Sequence, residues 1–424
     1  MRNKWSKDVH SFGILPKDAI SFLALTARLK AAPFQSRNNG KAHHGPPITV
    51  SWAVSRAIVI GVIALVLVAA GLLRAQSSSS LHLETGEQIF KSSCIACHGP
   101  DGRGTPTSIA AFEQPRTFPD FTRCDQTTPE EDVAWKAVIT HGGPDRGFSQ
   151  IMPSFSEALT SAQIDKVVSY LRSFCHDKRW PRGELNLPRA MVTEKAYPED
   201  EVVVSTGINA RGAPGNETHI IHEQRFGMNN QIEVDVPINF QNQDHIWYGG
   251  IGDTTFGVKR VMFSSLASGS IFSLQGSVIV PSGSKKRGFG AGTTTFETFA
   301  AFDQLFRTNT FVQTQFGADL PRHTDISPQS IFFNTAIGQT FAADHGLGRQ
   351  WSPMFEFLAA RDLADKAKMN WDVLPQMQVT ISRRQHIRGD LGIRIPANNT
   401  AGRPVQLMFY LLWDWQDGRL NKGW

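Results

Sequence analysis

From about Val202 onward the chain alternates between apolar and polar residues. In Ile232-Glu233-Val234-Asp235-Val236-Pro237-Ile238-Asn239-Phe240 every other residue is apolar and the rest are polar or proline. In His386-Ile387-Arg388-Gly389-Asp390-Leu391-Gly392-Ile393-Arg394-Ile395 the charges fall on one face only, and Val405, Leu407, Phe409, Leu411, Trp413 and Trp415 share one face of a last long stretch. A period of two is the signature of a half-buried strand. About eleven candidate strands fit between residues 202 and 415, many of ten or more residues. Gly227-Met228-Asn229-Asn230, Ser268-Gly269-Ser270 and Asp344-His345-Gly346 mark turns between them. The one stretch with any helical character is around residues 361–368.

Upstream the period lengthens. Glu84 to Cys97 reads as a helix with Gly86, Ile89 and Phe90 on one face, Gly86 admitting a large side chain from a later helix, Tyr170 or Phe174. Thr128-Pro129-Glu130-Glu131 opens a second, with Thr as N-cap and Pro at the first helical position. It ends at His141-Gly142-Gly143. A capping box at Thr160-Ser161-Ala162-Gln163 opens a third, whose Ile164, Val167, Val168 and Leu171 recur at i, i+3, i+4, i+7. Residues 57–73 carry no charge and are rich in Val, Ile, Ala and Leu. With Leu73-Arg74-Ala75 behind them, they read as a signal peptide or an uncleaved membrane anchor within residues 51–75. Residues 1–50 show no sustained periodicity and read as an unstructured lead or a misassigned start.

Charge sharpens this division. The 424 residues carry a net +5, but residues 1–75 hold ten Lys/Arg against two Asp, while 76–424 hold 33 against 36 Asp/Glu. The folded part is therefore slightly acidic, and no nucleic-acid partner is implied.

The chemistry sits in one short stretch, Cys94-Ile95-Ala96-Cys97-His98. Two cysteines three apart with a histidine directly behind is the spacing of covalent haem c attachment. Both thiols can meet the vinyl groups of one porphyrin, and His98 can bind its iron. A zinc site would need further ligands nearby, and none follow. With its flanking Gly86-Glu87-Gln88-Ile89-Phe90 and His98-Gly99-Pro100-Asp101-Gly102 segments, and with Met152-Pro153 between the second and third helices, the stretch 83–176 resembles class I cytochromes c. That resemblance implies an all-α cytochrome c domain over residues 81–180, one covalent haem, and Met152 as the sixth iron ligand opposite His98. It also implies a proline carbonyl, Pro106 or Pro115, as acceptor for the His98 ring N–H. His141 is a rival ligand that reads better as a solvated helix end. The segment Phe112 to Cys124 is longer and more polar than the family needs.

Two cysteines remain, Cys124 and Cys175. Haem attachment of this type takes place outside the cytoplasm, where such a pair is expected to form a disulfide. Residues 181–200, punctuated by Pro181, Pro188 and Pro198, read as an extended linker that packs in part on the haem domain through Trp180 and Leu187.

Residues 201–424 fit a soluble sandwich or an outer-membrane-type β-barrel of ten or twelve strands. Strand length, dyad alternation and aromatic residues near strand ends (Trp247, Tyr248, Trp351, Trp371, Trp413, Trp415) favour the barrel. Its pattern, with the C-terminal Trp424, resembles transporter-like barrels of bacterial outer membranes. Arg388, Asp390 and Arg394 would then face a hydrated lumen, where Arg388→Gln should be silent for folding. The histidines of this region (His219, His222, His245, His323, His345, His386) are scattered and suggest no ligand set, and no nucleophile–base pair stands out. The expectation is an exported electron carrier, not an enzyme, at the periplasm and outer membrane of a Gram-negative-type bacterium, with other periplasmic redox proteins as partners. Two alternatives stand beside it: the haem subunit of a periplasmic oxidoreductase with a soluble β docking domain, and an outer-membrane transporter with a redox-sensitive cytochrome plug.

Overall fold

Alternation along the strands becomes a closed wall. A computed structural model describes residues 83–415 apart from 107, 109–111, 116–117 and 343–349. The expectations for residues 1–75, for the Asp344-His345-Gly346 turn and for Trp424 lie outside the described residues. Twelve long strands follow the helical region. They are β1 (Glu201–Arg211), β2 (Gly215–Phe226), β3 (Asn230–Gln243), β4 (Thr254–Ser265), β5 (Ser270–Val280) and β6 (Thr295–Leu305). The second half comprises β7 (Thr310–Pro321), β8 (Ser330–Gln339), β9 (Gln350–Asp362), β10 (Asn370–Thr380), β11 (Ile387–Pro396) and β12 (Val405–Asp414). Each pairs antiparallel with its sequence neighbours, and β12 returns to β1, with Leu412 opposite Val203. Two short strands, Ile246–Ile251 and Phe341–Ala342, extend this ring without entering it. Residues 361–368 are strand end and turn rather than helix.

Among the described residues, closure gives each of the twelve long strands a partner on both sides. On β11, Leu391, Ile393 and Ile395 are exposed while Asp390 and Gly392 are buried. On β6, Phe296 and Phe302 point out, and Thr295, Phe299, Ala301 and Asp303 point in. An apolar outside around a polar inside is the inverse of a soluble protein and suits a lipid surround. Trp351 at one end and Trp247 and Trp371 at the other are exposed. On the end that carries the cytochrome-like region, three of the five connections (227–229, 266–269 and 306–309) are three or four residues long, while 381–386 and 340–349 are six and ten. On the opposite end five of six connections run to seven residues or more. Leu391→Arg would put a charge on the outer face. It is expected to destabilise the barrel by about 2–4 kcal/mol near a bilayer midplane, read as lost heat-modifiable gel mobility.

The interior departs from the hydrated lumen expected. Residues 185–199 run inside the ring as a plug. Leu185, Ala190, Ala196 and Tyr197 are almost fully buried, and Leu187 packs on Phe311 and Met354 rather than on the haem domain. An unpaired extended segment must place its backbone N–H groups somewhere. Here the inward side chains of the wall take them: Thr193 N donates to Glu356 Oε2 at 2.7 Å, Ala196 N to Asp303 Oδ2 at 2.8 Å and Glu199 N to Gln231 Oε1 at 2.6 Å. Arg189 pairs with Glu194, Glu201 and Glu223 at 3.1, 2.8 and 2.9 Å. The carboxylates of Glu194, Glu223 and Glu233 converge within 4.8 Å, but Arg189 and Lys259 stand among them, so they form an ion network of wall and plug. Arg388 is also not a free lumen charge: it sits 3.2 Å from Asp414 at the strand end, so its replacement disrupts an ion pair.

Candidate haem-binding site

Among the described residues, five α-helices form the other part: α1 (Gly86–Ser93), α2 (Ile95–His98), α3 (Cys124–Thr127), α4 (Asp132–His141) and α5 (Ser161–Arg172). Thr85 caps α1 in a reciprocal pair with Gln88, and Thr160 caps α5 with Gln163 as the sequence predicts. α1 crosses α5 at Gly86, where a Cβ would lie 2.0 Å from the Lys166 carbonyl. That contact is backbone as well as Tyr170, whereas Phe174 packs over Gly102. The helix predicted to open at Thr128 begins instead at Asp132, with Glu131 as its N-cap. Arg172 explains the shift. Its guanidinium takes the Glu130 carbonyl at 2.5 Å and the Asp132 carboxylate at 2.8 Å, and lies 3.9 Å over the Trp135 ring. Residues 128–131 are thereby held out of the helix. A disulfide joins Cys124 to Cys175, with Cα atoms 5.2 Å apart. It ties α3 to the end of α5 and contributes about 2–4 kcal/mol by closing that loop in the unfolded chain.

The helix breaks at Cys94 and resumes, so that Cys94, Cys97 and His98 share one turn, with His98 N donating to Cys94 O at 2.9 Å. Gly99, at φ +70°, then turns the chain away. The Met152 segment is folded back on the end of α4. Phe155 N donates to Ile139 O at 3.0 Å, Ser154 Oγ to Thr140 O at 2.6 Å, and Gly143 N to Met152 O at 3.0 Å. Gly143 permits this return, because a Cβ there would meet the Ser149 carbonyl at 2.2 Å.

Between these elements lies a cavity of about 710 Å³, lined by Cys94, Cys97, His98, Met152 and a largely apolar wall including Phe90, Trp135 and Leu171. His98 stacks on Phe118, with ring centroids 5.1 Å apart, and Phe121 lies at the same distance. Burial drives the His98 pKa down to about 4, so the imidazole is neutral and its lone pair is available at any physiological pH. Burial, with a smaller effect from Cys97, pushes the Cys94 thiol up to about 11. His98 Nδ1 is buried without a hydrogen-bond partner. The expected proline acceptor is therefore not engaged: the Pro115 carbonyl takes Phe118 N at 3.0 Å. A buried neutral imidazole, two thiols on one turn and a thioether in one largely apolar cavity suit a haem of c type. His141, the rival, is exposed and does not line the cavity.

Sequence reasoning missed several wall residues. Phe118 and Phe121 carry no periodic signal, and Arg146 is 2% exposed although an arginine. Arg384 enters the lining from the β10–β11 connection of the barrel. It donates to Gly147 O at 2.9 Å and lies 4.8 Å over the Phe148 ring. In the barrel, His219 faces Asp235 at 2.8 Å and His386 bonds Asp414, so these two histidines are engaged by carboxylates of neighbouring strands.

Residues 83–174 match the family model described as cytochrome c. Among curated proteins none matches the chain. Among solved structures, the KdgM porin in complex with disordered oligogalacturonate is 8% identical with a TM-score of 0.34, covering 51% of this chain and 99% of that one. The NanC porin is 9% identical at 0.37, covering 50% and 98%. An outer membrane channel from Pseudomonas putida F1 is 12% identical at 0.37, covering 52% and 97%. The described residues comprise a domain that matches the cytochrome c family model, followed by a closed twelve-stranded antiparallel barrel with an apolar outer face.

Proposed function

We propose that the protein is a one-electron carrier held at the periplasmic face of an outer membrane by its own barrel. The reading rests on one observation: Cys94, Cys97, His98 and Met152 line a single apolar cavity. Cys94 and Cys97 would hold one covalent haem, which when bound supplies a reversible one-electron change at iron. His98 and Met152 would supply a nitrogen and a thioether to its iron, a donor pair suited to electron transfer rather than to oxygen or peroxide chemistry. The surrounding phenylalanines make the wall about His98 apolar, and the imidazole there is uncharged.

The barrel acts as anchor in this reading. Its outward apolar face supports a lipid surround over a soluble docking domain, and the linker inside it speaks against an open solute channel. The cytochrome domain lies on the side of the short connections, the periplasmic side of such barrels. Other periplasmic redox proteins are then the partners within reach. The test is fractionation of cells with haem staining of gels. Covalent haem in detergent-extracted outer membrane, in a band of heat-modifiable mobility, is expected. Intact haem protein in the soluble periplasm overturns the anchor, and a chain without covalent haem overturns the carrier.

A further inference from the structure

The segment inside the barrel enters and leaves by the same mouth. Leu185 follows the cytochrome domain, and β1 begins at Glu201, on the end that carries that domain. The two limbs are tied to each other: Lys195 Nζ donates to Asn186 Oδ1 at 2.9 Å, and Asn186 Nδ2 to Glu199 Oε2 at 3.2 Å. The segment has no strand pairing with the wall, which closes on itself without it. Its ties to the wall are side-chain hydrogen bonds and ion pairs, which water can replace once the segment withdraws.

The base of the outgoing limb is fastened to the cytochrome domain. Gly183 N donates to Thr128 O at 2.7 Å and Asp132 N to Glu184 Oε1 at 3.1 Å, while Arg182 bridges Asp132 and Glu184 at 2.9 and 2.7 Å. The fit is close, since a Cβ on Gly183 would lie 1.8 Å from the Pro129 carbonyl oxygen. Arg172 holds the same loop from the other side, and Thr127 and Glu130 of that loop line the haem cavity. Behind the segment the wall is polar and acidic. Among the described residues it buries seven carboxylates, Glu223, Asp303, Glu356 and Asp390 among them, against Lys259 and His386 as buried bases. Arg388 and Arg394 each pair with one of the seven, Asp414 and Asp372. Arg189, the partner of Glu201 and Glu223, belongs to the segment and would leave with it. Carboxylates set around a wet pore favour cations.

We propose that the barrel is also a cation pore, held shut by residues 185–199 and latched by the cytochrome loop 127–132. The proposal rests on the reading of the barrel as membrane-spanning. When the latch lets go, the segment withdraws through the mouth by which it entered, and the twelve-stranded wall stays whole. Water then takes up the hydrogen bonds it leaves, and small hydrated cations replace Arg189 among the wall carboxylates.

The experiment measures conductance and reversal potential of the purified full-length protein in a planar bilayer under a potassium chloride gradient. The wild type is expected to open rarely. Gly183→Ala drives a Cβ into the Pro129 carbonyl, and its open time is expected to rise about tenfold, the shift that losing one buried hydrogen bond allows. Its haem spectrum should be unchanged, and its reversal potential should lie toward that of potassium. The double variant Arg182→Gln/Glu184→Gln, which loosens the latch without a clash, should move the same way. Lys178→Gln, exposed on the same connection, should match the wild type. A folded Gly183→Ala as closed as the wild type overturns the proposal, and so does a current carried by chloride or a steady wild-type current. If Gly183→Ala does not fold, the double variant decides by the same outcomes. A protein that lacks heat-modifiable mobility and never enters the bilayer overturns the membrane-spanning reading instead.

Discussion

Met152→Ala is expected to keep covalent haem, lose the methionine–iron absorption band and fall in reduction potential by more than about 59 mV, one decade in a one-electron equilibrium. The attachment residues Cys94 and Cys97 stand on a different element, the turn of α2, so removal of the thioether leaves them in place. What changes is the ligand field, because a soft thioether favours ferrous iron and water or a harder ligand does not. Met152 is also held by its own backbone, with its carbonyl accepting from Gly143 N and its N donating to Ser149 O at 3.3 Å. The loop should therefore keep its course in the variant. His98→Ala should be more severe, since it empties the position that stacks on Phe118 and should abolish attachment. Spectroscopy of Met152→Ala decides the point, and an intact band would assign the sixth position to another side chain.

What the sequence made legible was local. The attachment motif is five consecutive residues, and the Thr160–Gln163 capping box closes within one turn, so neither depends on a distant partner. Alternation over strands of ten to fourteen residues likewise states its own faces, which is why the wall was readable strand by strand. Three readings failed where a remote group competed. Residues 128–131 have the composition of a helix start, yet Arg172 takes the Glu130 carbonyl and delays the helix to Asp132. Arg388 looks like a lumen charge in its own strand, but Asp414 of the adjacent strand pairs with it. Residues 181–200 look like a solvated connector because they lack periodicity. Their partners, Glu356, Asp303 and Gln231, lie on three separate strands and cannot be read from the segment itself. Arg384 was hidden for the same reason.

Glu356→Ala is expected to loosen the plug and open the barrel to ions. Glu356 is fully buried and accepts from Met191 N at 2.9 Å, Val192 N at 3.2 Å, Thr193 N at 2.7 Å and Thr193 Oγ1 at 2.6 Å, while Gln376 Nε2 braces the same carboxylate at 2.6 Å. One side chain therefore satisfies three successive backbone donors of a segment with no strand partner. Met191 N also donates to Gln376 Oε1 at 3.1 Å, so truncation strands Val192 N and Thr193 N inside the ring at about 1–3 kcal/mol each, a penalty that water relieves only by entering the lumen. Other ties flank the gap, Met191 N to Gln376 Oε1, Glu194 N to Gln315 Oε1 at 3.3 Å and Tyr410 Oη to the Arg189 carbonyl at 2.7 Å, but none of them takes Val192 N or Thr193 N. Wild-type protein in a planar bilayer should accordingly show little conductance, and Glu356→Ala should show frequent ion-conducting openings with the linker newly cleavable by protease. The haem spectrum should hardly change, because Glu356 is not among the residues that line the cavity. Steady conductance in the wild type would mean that residues 185–199 leave a path beside them. A variant as tight as the wild type would mean that the plug does not depend on this carboxylate.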